Sequence, residues 1–265
     1  MNKTLYGREL KKSWRLLVIF AAVLTMYIVM IVSMYDPEMA QAIEKFQELM
    51  PELMAAVGMT GNNDSLAGFL VSYLYGMILL VFPMVYTIIR ANGLVTGYVE
   101  RGSMACLLAA PVRRTTVACT QLLVLLTGEV LLLGYCTALE YAAAELMFPG
   151  ELELSCLLGL NLGLLCLQLL IAGLCFFFSC LWSDTRYSLA FGAGIPVVMY
   201  VLQMLSNMGG KLEGVRYATF FSLFRPQDWI DGSSAAWWGA LALAVGAALL
   251  YAGGVAVFAR KDLQL

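Results

Sequence analysis

The chain of 265 residues contains no histidine. A Ser-His-Asp relay and an H-E-x-x-H zinc site both need one, so the commonest hydrolase chemistries are excluded for this chain alone. Charge is also scarce. Only 13% of residues are charged, and 16 basic against 18 acidic residues leave a net charge of -2, without the basic excess that would draw nucleic acid. Seven cysteines (Cys106, Cys119, Cys136, Cys156, Cys166, Cys175 and Cys180) fall in or beside apolar runs, in none of the spacings of a zinc site or a disulfide framework. They read as small buried hydrophobes. A phosphate loop is missing as well: Gly210-Lys211 has Leu205 where the first glycine belongs and Leu212 where Ser or Thr belongs. No metal and no cofactor is expected on the chain itself, and any ATP must be handled by another protein.

What the sequence has in abundance is apolar surface. Hydrophobic residues make up 61% of the chain and the mean hydropathy is +0.81, against about half apolar residues in ordinary soluble domains. A bilayer core of about 30 Å needs roughly 20 apolar residues in helical form. Six runs meet that length, near residues 16–35, 66–89, 116–139, 154–182, 187–206 and 236–258. The expected fold is therefore an all-α membrane protein with six transmembrane helices in a single domain, 1–265. The first run is expected to be a retained span and not a secretory signal, because it is too long and Met34-Tyr35-Asp36-Pro37 offers no small-x-small cleavage site.

Six spans put both termini on one side, and the basic residues choose it. With the termini in the cytoplasm, Lys3, Arg8, Lys11, Lys12, Arg15, Arg90, Arg101, Arg113, Arg114, Arg186, Arg260 and Lys261 all lie inside, and only Lys45, Lys211, Arg216 and Arg225 lie outside. Both termini are expected to be cytoplasmic.

The connecting segments carry patterns of their own. Residues 1–15 place Tyr6, Leu10, Trp14 and Leu17 at helical spacing with basic residues on the flanks, as an interfacial helix on membrane lipid would, or as a topology signal alone would. The outer loop 36–65 is helical in pattern, starting at Asp36-Pro37 and bent or split at Pro51. Its role is packing on the bundle or binding a partner. Residues 207–235 are too short to cross yet rich in aromatics around Arg225-Pro226, which suits a re-entrant or interfacial hairpin.

Inside the bundle, Pro83 in the second span and Gly192, Gly194 and Pro196 in the fifth are candidate hinges, or breaks that a membrane helix tolerates. Glu129 is the one acid deep within an apolar run. An ionisable group at that depth costs roughly 2.5 to 3.5 kcal/mol on insertion scales, so Glu129 is either a contact on a substrate or ion pathway or a protonated packing residue.

Between the second and third spans, residues 91–115 include GYVERGSMACLLAAPVRR. Ser103 is placed to cap a short helix with Met104, Leu107 and Leu108 on one side, and Pro111 stops it. The order Glu100, Arg101, Gly102, Ser103, a two-leucine helix, then Pro111, Val112, Arg113, Arg114 resembles the coupling helix of type-2 ATP-binding-cassette (ABC) exporter permeases. Ala105 stands where that family commonly has a second acid, and Arg113 where it has Ser or Thr. Phe258-Ala259-Arg260-Lys261-Asp262-Leu263 is similar to the family's closing motif.

The resemblance implies a permease subunit of an exporter in a bacterial cytoplasmic membrane, not itself an enzyme. It also implies a second permease chain, as homodimer or heterodimer, and a separate ABC ATPase that carries ATP and Mg. Leu107 and Leu108 would be the apolar seat for that ATPase and Glu100, Arg101 and Arg114 its polar rim. Two other functions stay open: an ion- or proton-coupled secondary transporter built around Glu129 and the broken fifth span, and a non-transport membrane sensor or immunity component.

Overall fold

The computed structural model describes residues 2–35, 50–56, 58, 65–108 and 112–261, together with the backbone but not the side chains of Leu53, Ala105, Cys106, Leu108 and residues 210–213. The described residues form helices and no strand. Six of these helices are long and apolar enough to cross a membrane: Lys3–Ser33, Leu66–Glu100, Arg114–Met147, Leu154–Leu181, Thr185–Asn207 and Ser234–Arg260. They are the first to sixth spans below, and each covers one of the apolar runs. The expected outer helix over 36–65 falls mostly outside the described residues, as does the end of the closing motif; within them a short helix starts at Pro51, where proline needs no amide partner.

The first span differs from expectation. Residues 3–15 are not a separate interfacial helix but the opening turns of one helix running to Ser33. The reason is a single inward stripe: Leu5, Glu9, Ser13 and Leu17 recur every fourth residue and lead on to Leu24, Ile28 and Ile31. That face packs on the third span. Asn2 caps the helix by accepting from the amides of Thr4 and Leu5.

The fourth span is the hub, touching the second, third, fifth and sixth. Its seam with the sixth span is made by small residues, as membrane packing without a hydrophobic drive requires. Gly173 faces Leu250, Gly246 faces Leu170, and Gly254 faces Phe176. Across this seam the Tyr251 hydroxyl donates to the Leu169 carbonyl at 2.5 Å.

Residues 207–235 form two 3-10 segments, Gly210–Ala218 and Phe220–Leu223, and a short helix, Pro226–Ile230. What fixes them is Trp229, whose indole lies over Gly159 and Gly163, one turn apart on the fourth span. A Cβ at Gly163 would stand 2.6 Å from the indole Nε1 and 3.1 Å from Phe224. Trp229 has little room to retreat, because Trp237 stacks edge-on at 5.0 Å. Gly163→Ala is therefore expected to lower the thermal midpoint in detergent, overpacking costing roughly 1 to 3 kcal/mol against about 1 kcal/mol of gained helix propensity. Gly134→Ala, where a Cβ meets nothing within 4 Å, is the control and should not lower it.

Candidate functional site

The connector between the second and third spans sits at the end of the bundle that carries the chain termini. The second span breaks at Val95 and re-forms as Thr96–Glu100. Gly102, at φ +68, then turns the chain into the short helix Ser103–Leu108. The turn depends on that glycine, since side chains rarely adopt positive φ. Ser103 does not cap the helix as expected. It is the first helical residue, and its hydroxyl donates back to the Tyr98 carbonyl at 3.2 Å.

The side chains sort into inward and outward sets. Met104 is buried and Leu107 half-buried against the core, whereas Arg101, Gly102 and Arg113 are exposed. The Leu108 side chain and Pro111 lie outside the described residues. Glu100 is exposed but accepts a hydrogen bond from Thr185 at the start of the fifth span. Arg114 donates to the Lys261 carbonyl at 2.8 Å. Two of the three expected rim residues are thus tied within the chain.

Further polar links fasten the connector to the rest of the bundle. Tyr98 donates to Glu9 of the first span, and Lys12 lies 4.9 Å above the Tyr98 ring. Thr96 donates toward the Ser179 carbonyl at 3.1 Å and lies 3.0 Å from the Ser188 hydroxyl, joining the fourth and fifth spans. At the end of the sixth span Lys261 donates to the Cys180 carbonyl at 3.1 Å. Partial burial lowers the Lys261 pKa from its ordinary value.

A second polar set runs through the interior. Pro83 has no N–H, so the carbonyl four residues before it, Leu79, loses its helical partner. The helix continues through Pro83, and the irregularity lies just before it, as a π-helix over Val71–Ile78. Gln168 of the fourth span donates to Leu79 at 3.4 Å and Leu80 at 2.9 Å. The fifth span repeats the arrangement. It breaks at Ala193 between Gly192 and Gly194, Pro196 deprives the Gly192 carbonyl of its amide, and Cys175 donates to that carbonyl at 3.1 Å. Both candidate hinges are therefore closed by donors two turns apart on the fourth span. Cys175 is more than a small hydrophobe here, and Cys119, expected to be buried, is exposed.

Glu129 is 1% exposed and contacts the Thr87 hydroxyl. Thr87 also lies 2.9 Å from the Pro83 carbonyl. A threonine hydroxyl has one proton to give. Thr87 is thus placed to donate to either oxygen, sharing its one proton between the Glu129 carboxyl and the Pro83 carbonyl.

Three buried charged groups were not expected from the sequence. Glu140, one residue past the third apolar run, is fully buried because the third span continues to Met147; it accepts from Tyr75 at 2.7 Å and from Asn161 at 3.2 Å. It lies about three turns from Glu129 and so on the same face of the helix. Glu9, among the basic residues that open the chain, and Arg90, counted with the inside charges, are 1% and 8% exposed. Spacing held the only advance signal, in the Glu129–Glu140 register.

Among the described residues no group of three or more His, Cys, Asp or Glu side chains could hold a metal ion. No protein-family model matches the chain, and no curated protein matches it. Fold and site define a class: an all-helical chain with six helices long and apolar enough to cross a membrane, compatible with a multi-pass membrane protein.

Proposed function

We propose that the chain is the permease subunit of an ABC exporter, paired with a second permease chain in the cytoplasmic membrane of a bacterium, its termini inside, and driven by a separate ATPase that holds ATP and Mg. One observation carries the reading: the short helix is covalently joined to the second and third spans, whose adjoining ends are hydrogen-bonded through Tyr98, Thr96, Glu100 and Arg114 to the first, fourth, fifth and sixth. A partner that displaced this short helix would move every span together. That is the mechanical need of alternating access, in which bundles rock as bodies around a central path. The ATPase's differing affinity for the two arrangements supplies the drive, since a partner without such a difference shifts nothing.

In this reading the surface offered to the ATPase is Arg101, Gly102, Arg113 and the exposed part of Leu107, while Glu100, Met104 and Arg114 transmit its motion inward. The test is to co-express the full chain with each ATPase encoded beside it, and to reconstitute the pair in nanodiscs. Co-purification and an ATP turnover that changes when the permease is present are the expected results; absence of both for every neighbouring ATPase would sink the proposal. Glu129 and Glu140, buried acids on one face of the third span, favour a second reading, ion- or proton-coupled transport, which the Glu129 variants discussed below separate from the first.

A further inference from the structure

At the end of the bundle away from the termini lies a cavity of about 600 Å³, between the first turns of the second span, the last turn of the fifth, and the segments that follow it. Its size is that of a small-molecule site. Among the described residues, the charged side chains on its wall are Arg216, Arg225 and Asp228, a net excess of one positive charge. Arg216 is half-buried, and its Nε is buried without a hydrogen-bond partner. Arg225 uses its own Nε on the Ser222 carbonyl at 3.2 Å, which holds the guanidinium at the wall.

The neutral polar groups have a direction too. Thr219 donates to the Gln203 carbonyl oxygen at 2.5 Å, and Gln203 donates to the Asn207 carbonyl oxygen at 2.9 Å. Each amide oxygen of this relay accepts one bond, and Asn207, which lines the cavity, has its amide nitrogen as a donor. The Tyr75 hydroxyl beneath is engaged with Glu140 and Asn161. The apolar part of the lining includes Val71, Leu80, Phe221 and Phe224.

We propose that this cavity binds the anionic group of an amphiphile, with the phosphate or carboxylate on Arg216, Arg225 and Asn207 and the apolar part against Phe221, Phe224 and Leu80. Guanidinium forks fit such oxyanions in pairs, and an unpaired buried N–H is satisfied by the same contact. The inference does not depend on coupling to an ATPase, because no connector residue lines the cavity.

The experiment uses the full chain in phosphatidylcholine nanodiscs and follows its thermal midpoint against short-chain phosphatidylglycerol, phosphatidylcholine of the same chain length, and inorganic phosphate. Phosphatidylglycerol should raise the midpoint saturably and phosphatidylcholine should not. R216Q/R225Q should weaken the phosphatidylglycerol response at least ten-fold, and R225Q alone, at an exposed residue, should weaken it measurably should the double variant fold poorly. Stabilisation by inorganic phosphate at the same concentrations would assign the site to free anions; its absence would assign it to the lipid. An equal response to both lipids, or Arg variants that respond as wild type, would overturn the proposal. R101E/R113E should leave the response unchanged, so failure here and failure of the coupling reading are told apart.

Discussion

R101E/R113E abolishes ATPase-driven transport while the protein stays folded: this is the expected result of reversing the two exposed cations that flank the short connector helix. Among the described residues neither side chain has a hydrogen bond that the reversal would break, and both are exposed. Reversal on such a surface leaves the fold intact but places like charges, or unpaired ones, against any docking groove complementary to the wild type, and it slows the encounter as well. Co-purification of the partner ATPase and coupled ATP turnover in nanodiscs should both fall at least ten-fold, with the thermal midpoint of the permease unchanged.

Leu107→Asp should give the same uncoupling with some loss of stability, because Leu107 is packed in part against the core. Met104→Asp is a different experiment: it buries a charge at a residue 1% exposed and reports on folding rather than on docking. If R101E/R113E retains both the ATPase and full turnover, the docking surface lies elsewhere.

The spans were legible because length and hydropathy alone set them, and their ends were less so because burial there comes from neighbours. Residues 3–15 carry enough Lys and Arg to look interfacial, yet Leu5, Glu9, Ser13 and Leu17 belong to the same buried stripe as the apolar turns that follow. Glu140 and Arg90 sit past the apolar runs; the third and second spans carry them into the protein, where Tyr75 and Asn161 receive the first. Pro83 and Pro196 marked the irregular helices, but nothing local identifies Gln168 and Cys175 as the donors that meet the freed carbonyls, since those partners are 89 and 17 residues away in sequence. In the connector the short helix was legible from its leucines, though Ser103 does not cap it and Pro111 lies outside the described residues, whereas the inward commitment of Met104, Glu100 and Arg114 depends on other spans.

Glu129→Lys is expected to remove most of the folded protein, and Glu129→Gln to leave it intact. The carboxyl is buried midway along the third span, with Thr87 as its contact and Oε2 unpaired. A lysine there sets an ammonium at a depth where insertion scales charge roughly 2.5 to 3.5 kcal/mol, and it removes the oxygen that Thr87 meets. Against a total stability of about 5 to 15 kcal/mol, that is a large fraction. Glutamine keeps the contact, since its amide oxygen accepts from Thr87 as the carboxyl oxygen does, and it carries no charge. Its thermal midpoint should stay within about 2 °C of wild type, the shift that well under 1 kcal/mol gives in a chain of this size. Thr87→Val, which leaves the acid without its contact, should fall between the two, at about 1 to 3 kcal/mol. A Glu129→Lys protein that folds and melts like wild type would show that the carboxyl does not sit in this buried contact. Transport then divides the two functional readings. An exporter driven through the connector keeps its turnover in Glu129→Gln, because the hinge at Pro83 is unchanged, whereas a transporter that moves a proton through Glu129 loses transport altogether while retaining the wild-type melting curve.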